Sequence, residues 1–376
     1  MRLVTTCLLF AVTCCGCSET ASTDARDLAV AAGGDVDGAA PVDDLSSSSP
    51  ADLSALPDLA STRPGLDRTI TLFDGAAFYF DGDPAKNHRE NFATVDFPGD
   101  GLYRQITLHV TLTCPASGCD PWDRAATIGL VDGAQTIEIG RYMTPYGVGG
   151  AWDIDVTDLR PLFSGSRTVR GFIDTWTGAP GGWVLTATLQ LVGGIPTDVP
   201  VAVTPLPWSD FPIGDPAQPI SASLPPQSMS LAPGASHGAV RITVTGHGQG
   251  NSENCGEFCA KSHALTVDGT ALPQHQVWRN DCAQNPIDNQ GGNWKPNRAN
   301  WCPGADVKPW RVDLGARGTP FTVGYAIDDY VNTCNGDSGK TCMLPSCVFG
   351  PSTCAYNDSD HTRPFYMFSA LLISYR

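Results

Sequence analysis

The segment CPASGCDPWDR, residues 114–124, concentrates side chains that could carry out chemistry. Two cysteines five positions apart are accompanied by two carboxylates, an indole and a guanidinium: Cys114, Cys119, Asp120, Asp123, Trp122 and Arg124. A small disulfide ring would hold these groups in place, and positioned carboxylates can transfer protons or activate water. The alternative is an exposed turn with an Asp123–Arg124 ion pair, which stabilises a protein by at most about 1 kcal/mol.

Three further segments place polar residues beside cysteines or tryptophans. FIDTWTG contains Asp174 and Trp176, CGEFC contains Glu257, and NWKPNRANWCPG contains Arg298 and Trp301. Aromatic faces with carboxylates and amides suit a sugar, whose ring offers C–H patches and hydroxyls. The sequence has no HExxH motif or phosphate-binding glycine loop. These residues alone predict a carbohydrate site, although each tryptophan could equally be a core residue.

Length and composition predict an all-β protein of two domains. Charged residues make up only 16% of the 376 residues, whereas Gly (40) and Pro (30) are abundant, which is typical of short strands joined by turns. The length suits two domains, and we place them at 67–195 and 199–376. The segment GGIPTDVPVAVTPLP, rich in proline and valine, is expected to be a stiff connection between them.

Strand-like runs with period-two alternation occur in both predicted domains and favour sandwiches or jelly rolls. The runs in the first domain are TITLFDG, LYRQITLHVTLTC, AATIGLVDG, TIEIGRYMT, WDIDVTDL, TVRGFIDTW and WVLTATLQLVG. Those in the second are SHGAVRITVTGHG, HALTVDGTAL, PWRVDLG, FTVGYAIDD and FYMFSALLISYR.

The first 66 residues are expected to serve export. Residues 1–17 combine an arginine, an apolar run and a small residue before Cys17, which is typical of a lipoprotein signal peptide with Cys17 lipidated. Residues 18–66 hold nine acidic and two basic residues and no aromatic residue, which predicts a disordered acidic linker. We expect an outer-membrane or cell-surface lipoprotein that touches the membrane only through its lipid anchor, or a secreted protein.

Charge and cysteine content restrict partners and cofactors. The net charge of −16 opposes binding to nucleic acid, which requires basic surfaces. Ten cysteines follow the signal segment, and an even number in an exported chain predicts disulfides. A zinc site is the alternative, but the spacings of Cys114/Cys119 and Cys255/Cys259 are unlike those of zinc ligands. We expect no metal or other cofactor, and a monomer.

Several segments resemble, in order and spacing, the secreted bacterial peptide:N-glycosidase F family. They are CPASGCDPWDR, EIGRYMTPYGVGG, DIDVTDLRPLFSG, FIDTWTG, CGEFCAKSHALTVDG and QHQVWRNDCAQNPIDNQGGNWKPNRANWCPG, and they cover most of residues 68–330. The resemblance implies two adjacent eight-stranded antiparallel jelly rolls with the active site in the cleft between them. It also implies hydrolysis of the amide between asparagine and the first N-acetylglucosamine of N-linked glycoproteins or glycopeptides, which releases the intact glycan and leaves aspartate.

The resemblance also implies which residues act. The principal catalytic aspartate corresponds to Asp123, and a glutamate between two cysteines corresponds to Glu257. A third carboxylate corresponds to Asp174, where the family has glutamate; retraction by about 1.5 Å can lower a rate about 100-fold. His247 stands where the family can carry tryptophan. The implied substrate-binding residues are Arg124, Asp120, Trp122, Trp176, His247, Arg298 and Trp301.

Three disulfides are implied by the resemblance: Cys114–Cys119, Cys255–Cys259 and Cys282–Cys302. An insertion at about 330–360 departs most from the family pattern and adds Cys334, Cys342, Cys347 and Cys354. Four cysteines allow three pairings, so the sequence leaves their connectivity open.

Two other functions are compatible with the same residues. A non-catalytic glycan-binding protein on this scaffold would keep the tryptophans and arginines but release no product. A glycosidase with two carboxylates would cut a sugar–sugar bond and leave N-acetylglucosamine on the asparagine. The identity of the product distinguishes the three functions.

Overall fold

The structure is a computed structural model that describes most of the chain after residue 62. The described ranges are 63–213, 218–248, 256–318, 320–328, 331–333, 341–343 and 364–376. The predicted signal peptide, Cys17 and nearly all of the predicted linker lie outside them, as do Cys255 and the side chains of the four cysteines of the insertion. All described residues belong to one compact unit, Ser48–Arg376.

Eight antiparallel strands form the first jelly roll. They are β1 (Arg68–Phe78), β2 (Glu90–Phe97), β3 (Tyr103–Thr113), β4 (Ala125–Asp132), β5 (Gln135–Met143), β6 (Gly150–Asp155), β7 (Gly165–Ile173) and β8 (Trp183–Gly193). One sheet has the order β1-β8-β3-β6 and the other β2-β7-β4-β5. Alternate residues of β8 point into the core between the sheets, which the alternating sequence predicts. A 3-10 helix spans Thr157–Leu162.

The second jelly roll is built from two five-stranded sheets. Its strands are β9 (Pro200–Pro205), β10 (Phe211–Pro212), β11 (Gln227–Met229), β12 (His237–His247), β13 (Lys261–Val267), β14 (Thr270–Ala271), β15 (His275–Val277), β16 (Trp310–Gly315), β17 (Phe321–Ile327) and β20 (Phe365–Tyr375). One sheet has the order β10-β20-β12-β16 with β9 on β20, and the other β11-β17-β13-β14 with β15 on β13. A separate hairpin joins β18 (Val331–Thr333) to β19 (Thr341–Met343).

The helices of the second half are short. Helix α1 spans Ile220–Ser223, and a 3-10 helix spans Cys282–Gln284. Within the described part of the chain, no helix has the length and apolar character required to cross a membrane.

The all-β prediction is confirmed, with two differences in detail. Among the described residues, the sheets of the second jelly roll contain ten strands instead of eight, because β9 and β10 pair with different parts of the long strand β20. The expectation that GGIPTDVPVAVTPLP is only a connection is wrong, since Pro200–Pro205 forms β9. Its prolines stand at the two ends of a strand that pairs on one side, where a missing N–H is tolerated.

The end of the predicted linker lies against the first jelly roll. The N–H of Gly65 donates to the carbonyl of Leu102 at 2.8 Å, and the N–H of Leu102 donates to the carbonyl of Arg63 at 2.9 Å. Residues from Arg63 onward therefore belong to the folded part, a few positions before the predicted start at 67.

The sheet that contains β12 and β20 packs on both hydrophobic cores. Leu371 and Ile373 of β20 join the core of the first jelly roll, whereas Ala370 and Leu372 join that of the second. Because successive side chains of a strand point to opposite faces, one strand can serve both cores. The two jelly rolls are thus held in a defined relation, which is required of any site built from both.

Polar contacts add to this packing. Arg141 of β5 is buried, and its Nη1 donates to the Thr245 hydroxyl and to the carbonyl of Met367, each at 2.9 Å. Its charge is paired with Glu138 at 2.7 Å. The Trp152 indole donates to the carbonyl of Gly304 at 2.9 Å. A buried charge with satisfied hydrogen bonds favours one relative position of the two jelly rolls.

Candidate active site

The disulfide loop that follows β3 carries the first part of the site. Cys114 and Cys119 are bonded, with Cα atoms 4.5 Å apart. The Ser117 hydroxyl donates to the carbonyl of Pro180, and Cys119 forms a β-bridge with Gly182, so the loop is also tied to the segment before β8. The Cys114–Cys119 disulfide thus fixes the start of the segment that leads to Asp123.

Asp120 organises the residues that follow the staple. Its carboxylate is fully buried and accepts hydrogen bonds from Arg124 Nε at 2.9 Å, from the Thr175 hydroxyl at 2.7 Å and from the N–H of Trp122 at 3.0 Å. The alternative of an Asp123–Arg124 ion pair is therefore wrong, because Arg124 pairs with Asp120. Three donors on one buried carboxylate hold the Trp122–Arg124 segment in one conformation.

Asp123 meets Glu257 at the guanidinium of Arg298. Arg298 Nε donates to Glu257 Oε1 at 2.8 Å, and Arg298 Nη2 lies 3.8 Å from Asp123 Oδ2. Each carboxylate is 15% exposed. Asp123 precedes β4 of the first jelly roll, whereas Glu257 and Arg298 belong to the second, so the pair lies where the two jelly rolls meet.

The surroundings favour the protonated forms of both carboxyls. Burial raises the pKa of Glu257 to about 7, against the lowering effect of Arg298, and the charge of Asp123 raises it further. Burial also raises the pKa of Asp123, although Arg298, Tyr146 and Arg124 oppose this. Desolvated carboxyls that titrate closer to neutral pH are suited to proton transfer.

Arg298 is fixed by hydrogen bonds and by an aromatic contact. Its side chain is 2% exposed, and it donates to the carbonyls of Pro296 at 2.7 Å and Asn293 at 2.8 Å. The guanidinium lies over the ring of Trp301 at 4.9 Å, and the Trp301 indole donates to the carbonyl of Gly246 at 2.7 Å. Trp301 is itself buried, so it supports Arg298 from behind.

His247 lies behind Trp301. Its ring stacks between Trp301 at 5.3 Å and Phe365 at 5.4 Å, and its Nε2 is 2.8 Å from the Thr245 hydroxyl. Burial, with help from Arg141, lowers the pKa of His247 to about 3. The ring is therefore neutral in ordinary buffers and acts there as a packing group.

Asp174 lies beside the site but outside the Arg298 cluster. Its carboxylate forms an ion pair with Arg89, whose guanidinium lies 4.4 Å from the ring centre of Trp176. The next residue, Thr175, donates to Asp120, so this cluster adjoins the disulfide loop. Arg89 thus contacts both Asp174 and Trp176.

Two residues of the site were missed by the sequence analysis. Tyr146 lowers the pKa of Asp123, and Arg89 pairs with Asp174. Neither lies beside a cysteine in the sequence, and only the fold brings them to the carboxylates. Tyr146 stood within the EIGRYMTPYGVGG segment, but nothing in that pattern singled it out.

Aromatic side chains flank the carboxylate pair. Trp122 is 59% exposed and meets the ring of Tyr146 edge to face at 6.4 Å. Phe258 is 40% exposed and lies 5.3 Å from the Arg298 guanidinium. Exposed rings of this size beside polar groups are typical of binding surfaces.

The described residues include several of the cysteines that were predicted to form disulfides. The structure contains a Cys282–Cys302 disulfide with Cα atoms 5.2 Å apart, next to Trp301. Cys259 is disulfide-bonded, and Cys255 lies outside the described residues. In the described ranges, no three His, Cys, Asp or Glu side chains are grouped so that they could hold a metal ion.

Removal of the Cys114–Cys119 disulfide is expected to lower both the stability and the rate. In a Cys114→Ala/Cys119→Ala variant, loss of so small a ring lowers the free energy of unfolding by about 2 kcal/mol. The turnover number should fall about tenfold or more, because the staple positions the Asp123 segment. Denaturant titration and turnover measurements check both values, and an unchanged turnover number would contradict the positioning role.

Comparison with known proteins places this geometry in a family. The models described as "Peptide-N-glycosidase F, N terminal" and "Peptide-N-glycosidase F, C terminal" match residues 128–191 and 220–342. Peptide-N(4)-(N-acetyl-beta-D-glucosaminyl)asparagine amidase F of Elizabethkingia miricola is 31% identical over 294 residues, which cover 73% of this chain and 81% of that protein.

Solved structures of similar proteins have the same fold. The structure of PNGase F, a glycosylasparaginase from Flavobacterium meningosepticum, matches with a TM-score of 0.68 and 25% identity over 83% of this chain and 96% of that one. PNGF-II matches in fold, with a TM-score of 0.62 and 17% identity over 82% of this chain and 65% of its own. With its two jelly rolls and the carboxylate pair between them, the chain belongs to the peptide-N-glycosidase F family.

Proposed function

We propose that this protein is a peptide-N-glycosidase that hydrolyses the amide between asparagine and the first N-acetylglucosamine of N-linked glycans. The observation that carries the proposal is the meeting of Asp123 and Glu257, one from each jelly roll, at the buried guanidinium of Arg298. Family membership supports it, since the curated relative is named as an amidase of this bond. The substrates are N-linked glycoproteins or glycopeptides, the released glycan is intact, and the asparagine becomes aspartate.

Asp123 carries the proton transfers in this proposal. Amide hydrolysis requires an activated water, stabilisation of the developing oxyanion and a proton for the departing nitrogen. Asp123 accepts the proton of the attacking water and returns it to the nitrogen as the C–N bond breaks. Its partial burial strengthens this exchange, because a desolvated carboxylate is a stronger base than a solvated one.

The other site residues are of two kinds. Some contact the substrate, and others hold the reacting groups in position. Trp122 is exposed enough to stack on a sugar, and Arg124 lies on the same segment. Asp120, Arg298 and Trp301 are almost completely buried, so they hold the reacting groups in place. Glu257 fixes Arg298 through its hydrogen bond and so adjusts the charge at Asp123.

Asp174 is proposed to act in binding, because its carboxylate pairs with Arg89, whereas Asp123 and Glu257 share Arg298. An Asp174→Asn variant is expected to raise KM about tenfold while the turnover number changes less than threefold, since uniform binding energy affects KM alone. Steady-state kinetics on one glycopeptide measure both constants. A fall in the turnover number larger than the rise in KM would instead give Asp174 a part in the chemistry.

Export is part of the same proposal. Disulfides such as Cys114–Cys119 and Cys282–Cys302 persist in oxidising compartments, which is consistent with an exported protein. We also propose lipidation at Cys17, a disordered acidic linker and a monomeric catalytic unit. Mass determination of the protein purified from its membrane or medium tests the lipid, and sedimentation tests the monomer.

The function is tested by mass spectrometry of a defined N-glycopeptide incubated with oxidised protein. The proposal predicts an intact free glycan and a peptide in which asparagine has become aspartate. An uncut glycopeptide that binds the protein would indicate a glycan-binding protein. A peptide that keeps one N-acetylglucosamine would indicate a glycosidase that cuts between sugars.

A further inference from the structure

Tyr146 lies in the loop between β5 and β6 of the first jelly roll, but its backbone is held by the second. Its N–H donates to Gln290 Oε1 at 3.1 Å, and its carbonyl accepts from the N–H of Gly291 at 3.1 Å. Gln290 is buried and donates to the carbonyls of Ile287 and Pro303 at 2.8 and 3.0 Å. The position of Tyr146 therefore depends on the 287–303 segment.

The ring of Tyr146 rests directly on Gly292. A Cβ atom at Gly292 would lie 2.2 Å from Cδ1, 2.4 Å from Cγ and 2.6 Å from Cε1 of the ring. A Cβ atom at the neighbouring Gly291 would come no closer than 3.9 Å, to the Tyr146 carbonyl. Neither glycine has the positive φ that favours glycine. Only Gly292, of the two, must lack a side chain for Tyr146 to keep its place.

The ring of Tyr146 meets that of Trp122, the residue before Asp123, edge to face at 6.4 Å. The Tyr146 hydroxyl, as a donor to the ionised form, lowers the pKa of the Asp123 carboxyl. Burial keeps the phenol protonated at any ordinary pH, so it donates. The charged groups that act on Asp123 are Arg298 and Arg124, which lower its pKa, and the charge of Asp123 in turn raises the pKa of Glu257. Tyr146 is the uncharged donor among them.

We propose that Tyr146 is a positioning residue for Asp123, and that Gly292 of the second jelly roll provides the surface on which the Tyr146 ring packs. Docking of the 287–303 segment thereby sets the protonation and orientation of a carboxylate in the other jelly roll. This inference rests on the proposed role of Asp123 in the reaction. It adds two residues, Tyr146 and Gly292, whose changes are felt at Asp123.

The test measures the pKa of Asp123 by carbon NMR over a range of pH, on protein labelled with carbon-13 at its aspartate carboxyls. The Asp123 signal is assigned by its loss in the Asp123→Asn variant. In Tyr146→Phe, which removes only the hydroxyl, the pKa of Asp123 should rise by about one unit, because a donor to the ionised form is lost. The turnover number at neutral pH should fall about tenfold with KM nearly unchanged.

Gly292→Ala should raise the pKa of Asp123 in the same direction, and the matched control Gly291→Ala should leave it unchanged. In the Tyr146→Phe background, Gly292→Ala should add little, because two changes that act through one hydroxyl are not additive. If the two shifts in the pKa of Asp123 were fully additive, Gly292 would not act through Tyr146. An unchanged titration in Tyr146→Phe would contradict the positioning role. Absence of glycan release by the unaltered protein would instead contradict the proposed function, a result separate from these titrations.

Discussion

Replacement of Asp123 by asparagine should lower kcat/KM for glycan release by about 10³-fold. Asparagine keeps the shape of the side chain, and so its place beside Arg298 at 3.8 Å, but it cannot take a proton from water. The loss should appear in the turnover number, while binding of the glycopeptide is retained. Kinetics and a binding measurement on one glycopeptide separate the two effects.

Asp306→Asn is a matched control for this substitution. Asp306 is 14% exposed, close to the 15% of Asp123, and its carboxylate pairs with Lys308 away from the Arg298 cluster. The control should retain the turnover number of the unaltered protein. If Asp123→Asn kept more than a tenth of the original turnover number, another group would have to move the proton.

Replacement of Glu257 by glutamine should make the protein more stable above pH 7 and less active. The pKa of Glu257 is about 7 in the folded state against an ordinary value of 4.5. Between these values the folded state binds more protons than the unfolded state, so the free energy of unfolding falls as pH rises. Glutamine removes this penalty, and the gain at pH 8 should be on the order of 2 kcal/mol.

The activity of Glu257→Gln should fall about 100-fold, because a neutral amide holds Arg298 less firmly and alters the charge near Asp123. For the same reason, activity of the unaltered protein should decline as pH falls through about 7, when Glu257 becomes protonated. Glu257→Gln should lack that decline. Denaturant titrations at pH 5 and pH 8 and a pH–rate profile check these results.

Glu138→Gln is a useful contrast. Glu138 also pairs with a buried arginine, Arg141, which joins the two jelly rolls. Loss of that partner leaves Arg141 uncompensated, so this variant should be less stable than the unaltered protein at pH 8. Arg298, in contrast, keeps Asp123 at 3.8 Å after Glu257 is replaced. Opposite effects at the two glutamates would separate a strained functional group from a structural one. A less stable Glu257→Gln protein at pH 8 would contradict the account.

The fold was largely predictable where strands alternate between buried and less buried residues, as β3 and β8 do. Runs such as WVLTATLQLVG bury every second residue, and the structure places them as central strands. Strand β2, Glu90–Phe97, was missed because only its last part, with Val95 and Phe97, is buried. Strand β9 was missed because its prolines suggested a connection, and only the free edge of β20 makes it a strand.

The site was predictable where chemistry is local in sequence. Asp123 and Glu257 were singled out by the cysteines around them and by family resemblance, and the structure brings them to one guanidinium. The alternative in which Arg124 pairs with its neighbour Asp123 fails, because the backbone directs Arg124 to Asp120. Tyr146 and Arg89 reach the site only through the packing of distant loops, which no short motif encodes.

The central claim is that water cleaves the asparagine–glycan amide at the Asp123 site. The most direct measurement is mass spectrometry of the peptide product formed in water enriched in heavy oxygen, with Asp123→Asn run beside the unaltered protein. The account predicts one heavy oxygen in the new aspartate and an intact free glycan, both nearly absent from the variant. A product without heavy oxygen, or equal product from the variant, would contradict it.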